Sequence, residues 1–202
     1  MIIDLLPEGL LESHVGHKLI RHCCHEVGIT YSADGCTYIK NKAAQYHHSG
    51  FLVAGKGLLI LTDLRDSGEI CPSAALQTYL LKKVPQPSQA FMLRFAVWEM
   101  ESWLLADREG LADFLGIRVT KMPRKPEMET LPKLTLVNLA RKSRKRIIRD
   151  GIVPPPGHRG PSAPSYTSTM TEFVQEYWNI SAAAQNSPSL QRCIVRLQSL
   201  GA

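Results

Sequence analysis

The sequence predicts an α/β protein: a mostly parallel sheet flanked by helices, with a basic helical extension at its C-terminal end. Three observations carry this reading. The stretch GLLILTDLRD, Gly57 to Asp66, sets Leu58, Leu59, Ile60 and Leu61 directly ahead of Thr62 and Asp63. A short unbroken apolar run closed by a turn signal, here Ser67-Gly68, is the pattern of a strand buried on both faces, hence a central strand of a covered parallel sheet. Strand-like and helix-like segments alternate over residues 1–119, as expected of helices packed on both faces of a sheet. Composition then changes at Thr120, where prolines and clustered cations take over. The expected division is an α/β domain over 1–119 and a helical extension packed on it over 120–202.

Taken in order, Ile2 to Leu6 is a short aliphatic strand ended by Pro7-Glu8-Gly9. Leu10 to Val27 carries Leu11, Val15, Leu19 and Cys23 on one stripe, a helix stopped by Gly28. Ile29 to Lys40 alternates weakly and suggests a strand or hairpin, and Lys42 to Gly55 a helix and loop. After the central strand, Cys71 to Val84 is a helix with Pro72 in its first turn. The Pro85 to Ser88 linker leads to a strand over Ala90 to Val97. Trp98 to Ala106 and Arg108 to Leu115 are helices, the second ended by Gly116. Thr120 to Pro132 is a loop, and Lys133 to Asp150 a strongly basic helix. Pro154 to Pro164 is too rich in proline and glycine for regular structure. Thr167 to Trp178 and Ser187 to Leu200 complete the chain as helices.

At 202 residues with 44% hydrophobic content, the chain can bury a real core, which excludes global disorder. No apolar run is long enough to span a bilayer, and Asp4 and Glu8 interrupt the only place for a signal-peptide core. The five cysteines are odd in number and irregularly spaced, a pattern of reduced thiols and so of a cytoplasmic protein. His22-Cys23-Cys24-His25 lacks a second ligand pair at zinc-finger spacing.

Acidic residues recur just past predicted strands: Glu8 with Glu12, Asp63 with Asp66, and Glu99 with Glu101 followed by Asp107. In a parallel sheet, strand ends distant in sequence meet at one edge, where α/β proteins bind ligands. Carboxylates gathered there repel one another unless a cation neutralises them. An oxygen-only donor set suits Mg2+ or Mn2+, the machinery of metal-assisted displacement at phosphorus. Glu8, Asp63 and Glu101 are the expected catalytic metal ligands, assisted by Glu12 and Asp66. Each acidic residue could instead favour the start of the helix that follows it.

The segments PEGLLE, LLILTDLRD and WEMESWLLAD resemble the toprim fold, a Rossmann-like metal-binding domain of topoisomerases, primases and the overcoming-lysogenization-defect nucleases. More closely, together with PKLTLVNLARKSRKRIIRDGIVPPPG and SPSLQRCIVRL, they resemble the bacterial toprim-like family catalogued as domain of unknown function 4276. The resemblance implies that Glu8 is the first-strand glutamate, Asp63 the first aspartate of Asp-X-Asp, and Glu12 a ligand for another metal. It implies a nuclease effector of anti-phage defence working with an ATPase partner. The second aspartate falls at position 65, where this chain has Arg65; Asp66 follows one residue later, and Arg65 could hold a phosphate.

On a continuous helix, Arg141, Lys145 and Arg149 recur every four residues with Lys142 and Arg146 alongside, a stripe roughly 12 Å long. With Arg65, these cations are the expected nucleic-acid contacts. Two functions therefore compete: a Mg2+- or Mn2+-dependent nuclease cutting DNA or RNA, and a non-catalytic sensor or adaptor docking to the ATPase.

Overall fold

The computed structural model describes residues 1–32, 35–48, 56–80 and 90–200. The expected linker over 85–88 and the ends of the helices expected to reach 55 and 84 lie outside these residues. The chain divides into two compact units, Met1–Val97 with Gln191–Ala202, and Trp98–Leu190. The division falls well before the composition change at Thr120, and the last residues belong with the first unit. The reason lies in WEMESWLLAD: its helix is wholly buried and packs against helices of the 120–190 stretch rather than closing the sheet unit.

The first unit is a four-stranded, all-parallel sheet: β1 (Ile2–Pro7), β2 (Glu26–Thr30), β3 (Lys56–Asp63) and β4 (Phe91–Ala96), in the order β2-β1-β3-β4. Gly57 to Thr62 of β3 are buried in unbroken succession, as expected for a central strand. Helix α1 (Leu10–His22) covers the face carrying Leu5 and Leu61, and Gly16 lets it approach closely: a Cβ there would lie 2.7 Å from Leu5 Cδ1 and 3.2 Å from Leu61 Cδ1. Helices α2 (Gly35–His48) and α4 (Pro72–Tyr79) supply Ile39, Ala43, Ala75 and Tyr79 to a core with Leu6, Leu58, Ile60, Leu93 and Phe95. Between β3 and α4, the single turn α3 (Leu64–Ser67) ends at Gly68, whose φ of 76° suits glycine.

Two expectations change here. Helix α1 ends at His22, short of Val27, because Cys24 takes a left-handed φ of 61°. Its N–H and that of His25 return to the Arg21 and Ile20 carbonyls, the double bond of a Schellman ending without the usual glycine. Released there, residues 26–30 become edge strand β2 instead of a stop and hairpin. Buried Asp4 fixes it, accepting the Ile29 N–H at 2.8 Å, and Gly28 is the residue whose Cβ would collide with that carboxylate. Of the segment expected as a strand or hairpin over Ile29 to Lys40, Ile29 and Thr30 are strand and residues 35–40 begin helix α2.

The second unit is helical: α5 (Glu101–Ala106), α6 (Arg108–Leu115), α7 (Pro132–Ala140), α8 (Arg146–Ile152), α9 (Tyr166–Glu172), α10 (Ile180–Asn186) and the start of α11 (Pro188–Gln198). Asp107, 1% exposed, ties it together: Oδ1 accepts the Gly110 N–H at 3.1 Å and Oδ2 the Asn179 N–H at 2.7 Å. Glu127 likewise accepts the Ser187 hydroxyl and both N–H and hydroxyl of Ser189, and Ser189 accepts the Trp103 indole N–H at 2.7 Å. The helix expected over Thr167–Trp178 widens into a π turn at Phe173–Tyr177, and α10 follows as an additional helix capped by Asn179.

The continuous basic helix over Lys133–Asp150 does not form. It breaks between α7 and α8, where Ser143 Oγ accepts the Lys145 N–H at 3.0 Å and donates to the Lys145 carbonyl at 3.2 Å. A serine that bonds the backbone locally offers the chain an alternative to helix, and here it wins. No helix among the described residues is long and apolar enough to cross a membrane.

Asp107→Ala should remove the acceptor of two part-buried N–H groups and lower the free energy of unfolding by about 1–3 kcal/mol. Urea denaturation would show this as a lower midpoint at unchanged slope; an unchanged midpoint would remove Asp107 from this role.

Candidate metal centre

The order β2-β1-β3-β4 reverses direction between β1 and β3, which creates the crevice where α/β sheets bind ligands. Both strands end there on acidic residues. Glu8 follows β1 immediately, its N–H donating to the Leu61 carbonyl at 3.0 Å, so its position is set by the sheet ladder itself. Asp63 closes β3 and precedes α3, but its carboxylate makes no helix-capping hydrogen bond. Asp63 thus stands at the N-cap position of α3 without the side-chain hydrogen bond by which an aspartate caps a helix.

Glu8 is the hub. Its Oε2 accepts the Thr62 hydroxyl at 2.5 Å and the Asp63 N–H at 3.1 Å. Burial pushes its pKa up to about 7; the Thr62 hydroxyl opposes this, a hydrogen bond with the Asp66 carboxyl adds to it, and the Asp63 N–H opposes it. Asp66 itself is exposed on α3, brought to Glu8 because one helical turn after Asp63 swings residue 66 back over the strand end. Donor atoms of Glu8, Asp66 and Cys36 all lie within 4.8 Å of one another. Tyr79 stands beside them: burial pushes its phenol up to about 12, with the charges of Glu8, Cys36 and Asp66 adding to the shift.

This donor set fits a divalent cation. Two carboxylates offer the hard oxygen donors that Mg2+ and Mn2+ take, and the Cys36 thiol adds a donor that favours softer ions such as Mn2+ over Mg2+. Sequence reasoning missed Cys36, which lies at the start of a helix mistaken for a strand or hairpin. Glu12 lies in the first turn of α1 with its carboxylate over Gly9, where a Cβ would come 2.8 Å from Oε2. Arg65, between the two aspartates on α3, is partly exposed.

Glu101 has a different setting from the one expected. It is 4% exposed, its Oε1 accepts the Tyr166 hydroxyl at 2.9 Å, and Lys133 Nζ lies 3.9 Å away. Burial raises its pKa, and Lys133 opposes the shift. Glu99 accepts the Lys133 N–H at 2.8 Å. With Asp107, these acidic residues of WEMESWLLAD all bond partners inside the helical unit. The basic residues divide as well. Lys145 donates to the Asp113 carbonyl at 2.7 Å, and Arg146 and Arg149 lie 3.3 and 3.5 Å from Asp150. Arg141 and Lys142 are exposed.

No family model matches the chain, and neither the curated proteins nor the solved structures contain a match to it.

Because the folded-state pKa of Glu8 lies above the ordinary 4.5, the stability its protonated form contributes is full below about 4.5 and is lost as pH rises through about 7. Glu8→Gln, whose amide can still donate to Asp66, should flatten the pH dependence of the urea midpoint across that window and raise stability at pH 8. An unchanged profile would contradict the proton-holding role of Glu8.

Proposed function

We propose that the protein is a divalent-metal-dependent phosphodiesterase acting on nucleic acid, with Glu8, Asp63 and Asp66 as its acidic centre. The observation that carries this reading is the meeting of Glu8, Asp66 and Cys36 donor atoms at the switch point of the parallel sheet. When bound there, Mg2+ or Mn2+ would supply Lewis-acid polarisation of a phosphoryl oxygen and activation of water. The chain's own groups do the positioning. The Thr62 hydroxyl and Asp63 N–H fix one Glu8 oxygen, and the Glu8 carboxyl also hydrogen-bonds Asp66. Arg65 offers a planar donor pair to a phosphate on the same turn that carries Asp66, two residues after Asp63. The toprim-like resemblance extends the proposal to an effector of anti-phage defence that acts with an ATPase.

The presence of Arg65 where the resemblance expects an aspartate favours a second reading, a non-catalytic adaptor that keeps the fold and docks to an ATPase. The two separate in one assay with supercoiled plasmid and single-stranded DNA in Mn2+. The enzyme reading predicts cleavage that EDTA stops and that Asp63→Ala or Asp66→Ala reduces about 100-fold or more, the scale of losing one transition-state contact. Glu101→Gln, which keeps the acceptor for Tyr166, should leave cleavage within a few-fold of wild type. Absence of cutting with the ATPase partner present, alongside a stable complex with it, would sink the enzyme reading.

A further inference from the structure

The helical unit carries a concave cleft of about 620 Å³ lined by Gly116, Ile117, Arg118, Lys121, Lys142 and Arg144. Two segments far apart in sequence build it. On one side, Gly116 ends α6 with a φ of 66°, and the chain turns through Arg118 and the short 3-10 turn Val119–Lys121. On the other, the Ser143 hydrogen bonds that break the basic helix hold Lys142 and Arg144 at a tight corner. Lys145 clasps the two: its Nζ caps α6 at the Asp113 carbonyl, and its stem covers Gly116, where a Cβ would lie 3.0 Å from Lys145 Cγ.

The cations of this region differ in their surroundings, and Arg141 is exposed outside the cleft lining. Lys145, Arg146 and Arg149 are engaged by Asp113 or Asp150. The four that line the cleft are exposed, and among the described residues none of them is in an ion pair. No lining residue is acidic. A concave wall of one sign focuses potential and concentrates counter-ions. The volume lies within the range of ligand sites, yet the lining holds one apolar side chain, Ile117, and no aromatic ring on which a base could stack. Two guanidinium forks and two ammonium groups are the donors that match phosphate oxygens.

We propose that this cleft binds closely spaced phosphates, with Arg118, Lys121, Lys142 and Arg144 as the anion-binding residues. The phosphates could belong to a nucleic-acid backbone or to a free polyphosphate chain, and recognition does not depend on a base. The earlier expectation of a helical stripe is thus replaced by a cleft that uses only Lys142 of that stripe and adds three cations from outside it. The site stands on its own geometry, whether or not the acidic centre cleaves.

The test is binding in EDTA, which silences metal chemistry. A fluorescein-labelled single-stranded 20-mer is followed by anisotropy across salt concentrations, and inorganic tripolyphosphate by calorimetry. At least one probe should bind, and Lys142→Ala/Arg144→Ala should weaken it about tenfold or more at low salt. For the oligonucleotide, the slope of log affinity against log salt should fall by about 1.4, from roughly 0.7 per lost phosphate contact. The charge-preserving Lys142→Arg/Arg144→Lys should restore binding, and Arg21→Ala, outside the cleft, should leave it unchanged. Binding of the 20-mer alone assigns the cleft to a strand backbone, and binding of tripolyphosphate alone to a compact polyphosphate. If neither probe binds, or if the double alanine variant with an unchanged thermal midpoint binds as wild type does, the proposal fails.

Discussion

One carboxyl group joins the ends of the two central strands. Glu8 leaves β1 and receives the Thr62 hydroxyl and the Asp63 N–H from the end of β3, while its own N–H completes the ladder at Leu61. The acid is therefore a structural part of the sheet as well as a member of the acidic centre. Burial at that strand end makes ionisation costly, and the contact with Asp66 makes it costlier. A position that the backbone fixes this firmly and that disfavours its own negative charge is suited to a positively charged ligand.

The strands that flank this centre were legible because the driving force was written in unbroken apolar runs. Leu58 to Leu61 read as a strand buried on both faces, which places the first charged residue after it at the sheet edge. The same logic located Glu8 after Ile2 to Leu6. Only the end of edge strand β2, Ile29 and Thr30, was legible because EVGIT has no apolar run; the ladder to β1 and the hydrogen bond from Ile29 to buried Asp4, between residues far apart in sequence, hold it. The end of α1 was hidden for a similar reason, since Cys24 occupies the left-handed position that a sequence reader expects glycine to mark.

The acidic residues divide along a line that composition does not draw. Glu8 and Asp66 meet at the switch point, whereas Glu99, Glu101 and Asp107 find backbone and side-chain donors among the helices of 98–190. Tyr166, the donor to Glu101, is distant in sequence, so nothing local distinguishes a ligand from a buried strut. The cations teach the same lesson. Spacing by four residues suggested a stripe, but spacing on a helix has meaning only while the helix continues, and Ser143 ends it. What replaces the stripe is a set of cations with different surroundings: Lys145 on the Asp113 carbonyl, Arg146 and Arg149 sharing Asp150, Lys142 facing a cleft, and Arg141 exposed outside it.

The acidic centre is the claim on which the functional reading turns, and a crystal grown in Mn2+ tests it most directly. The account predicts an anomalous peak about 2.1 Å from oxygens of Glu8 and Asp66, the usual bond length for a small hard divalent ion. A well-diffracting crystal with full Mn2+ present and no peak beside those two carboxylates would contradict it.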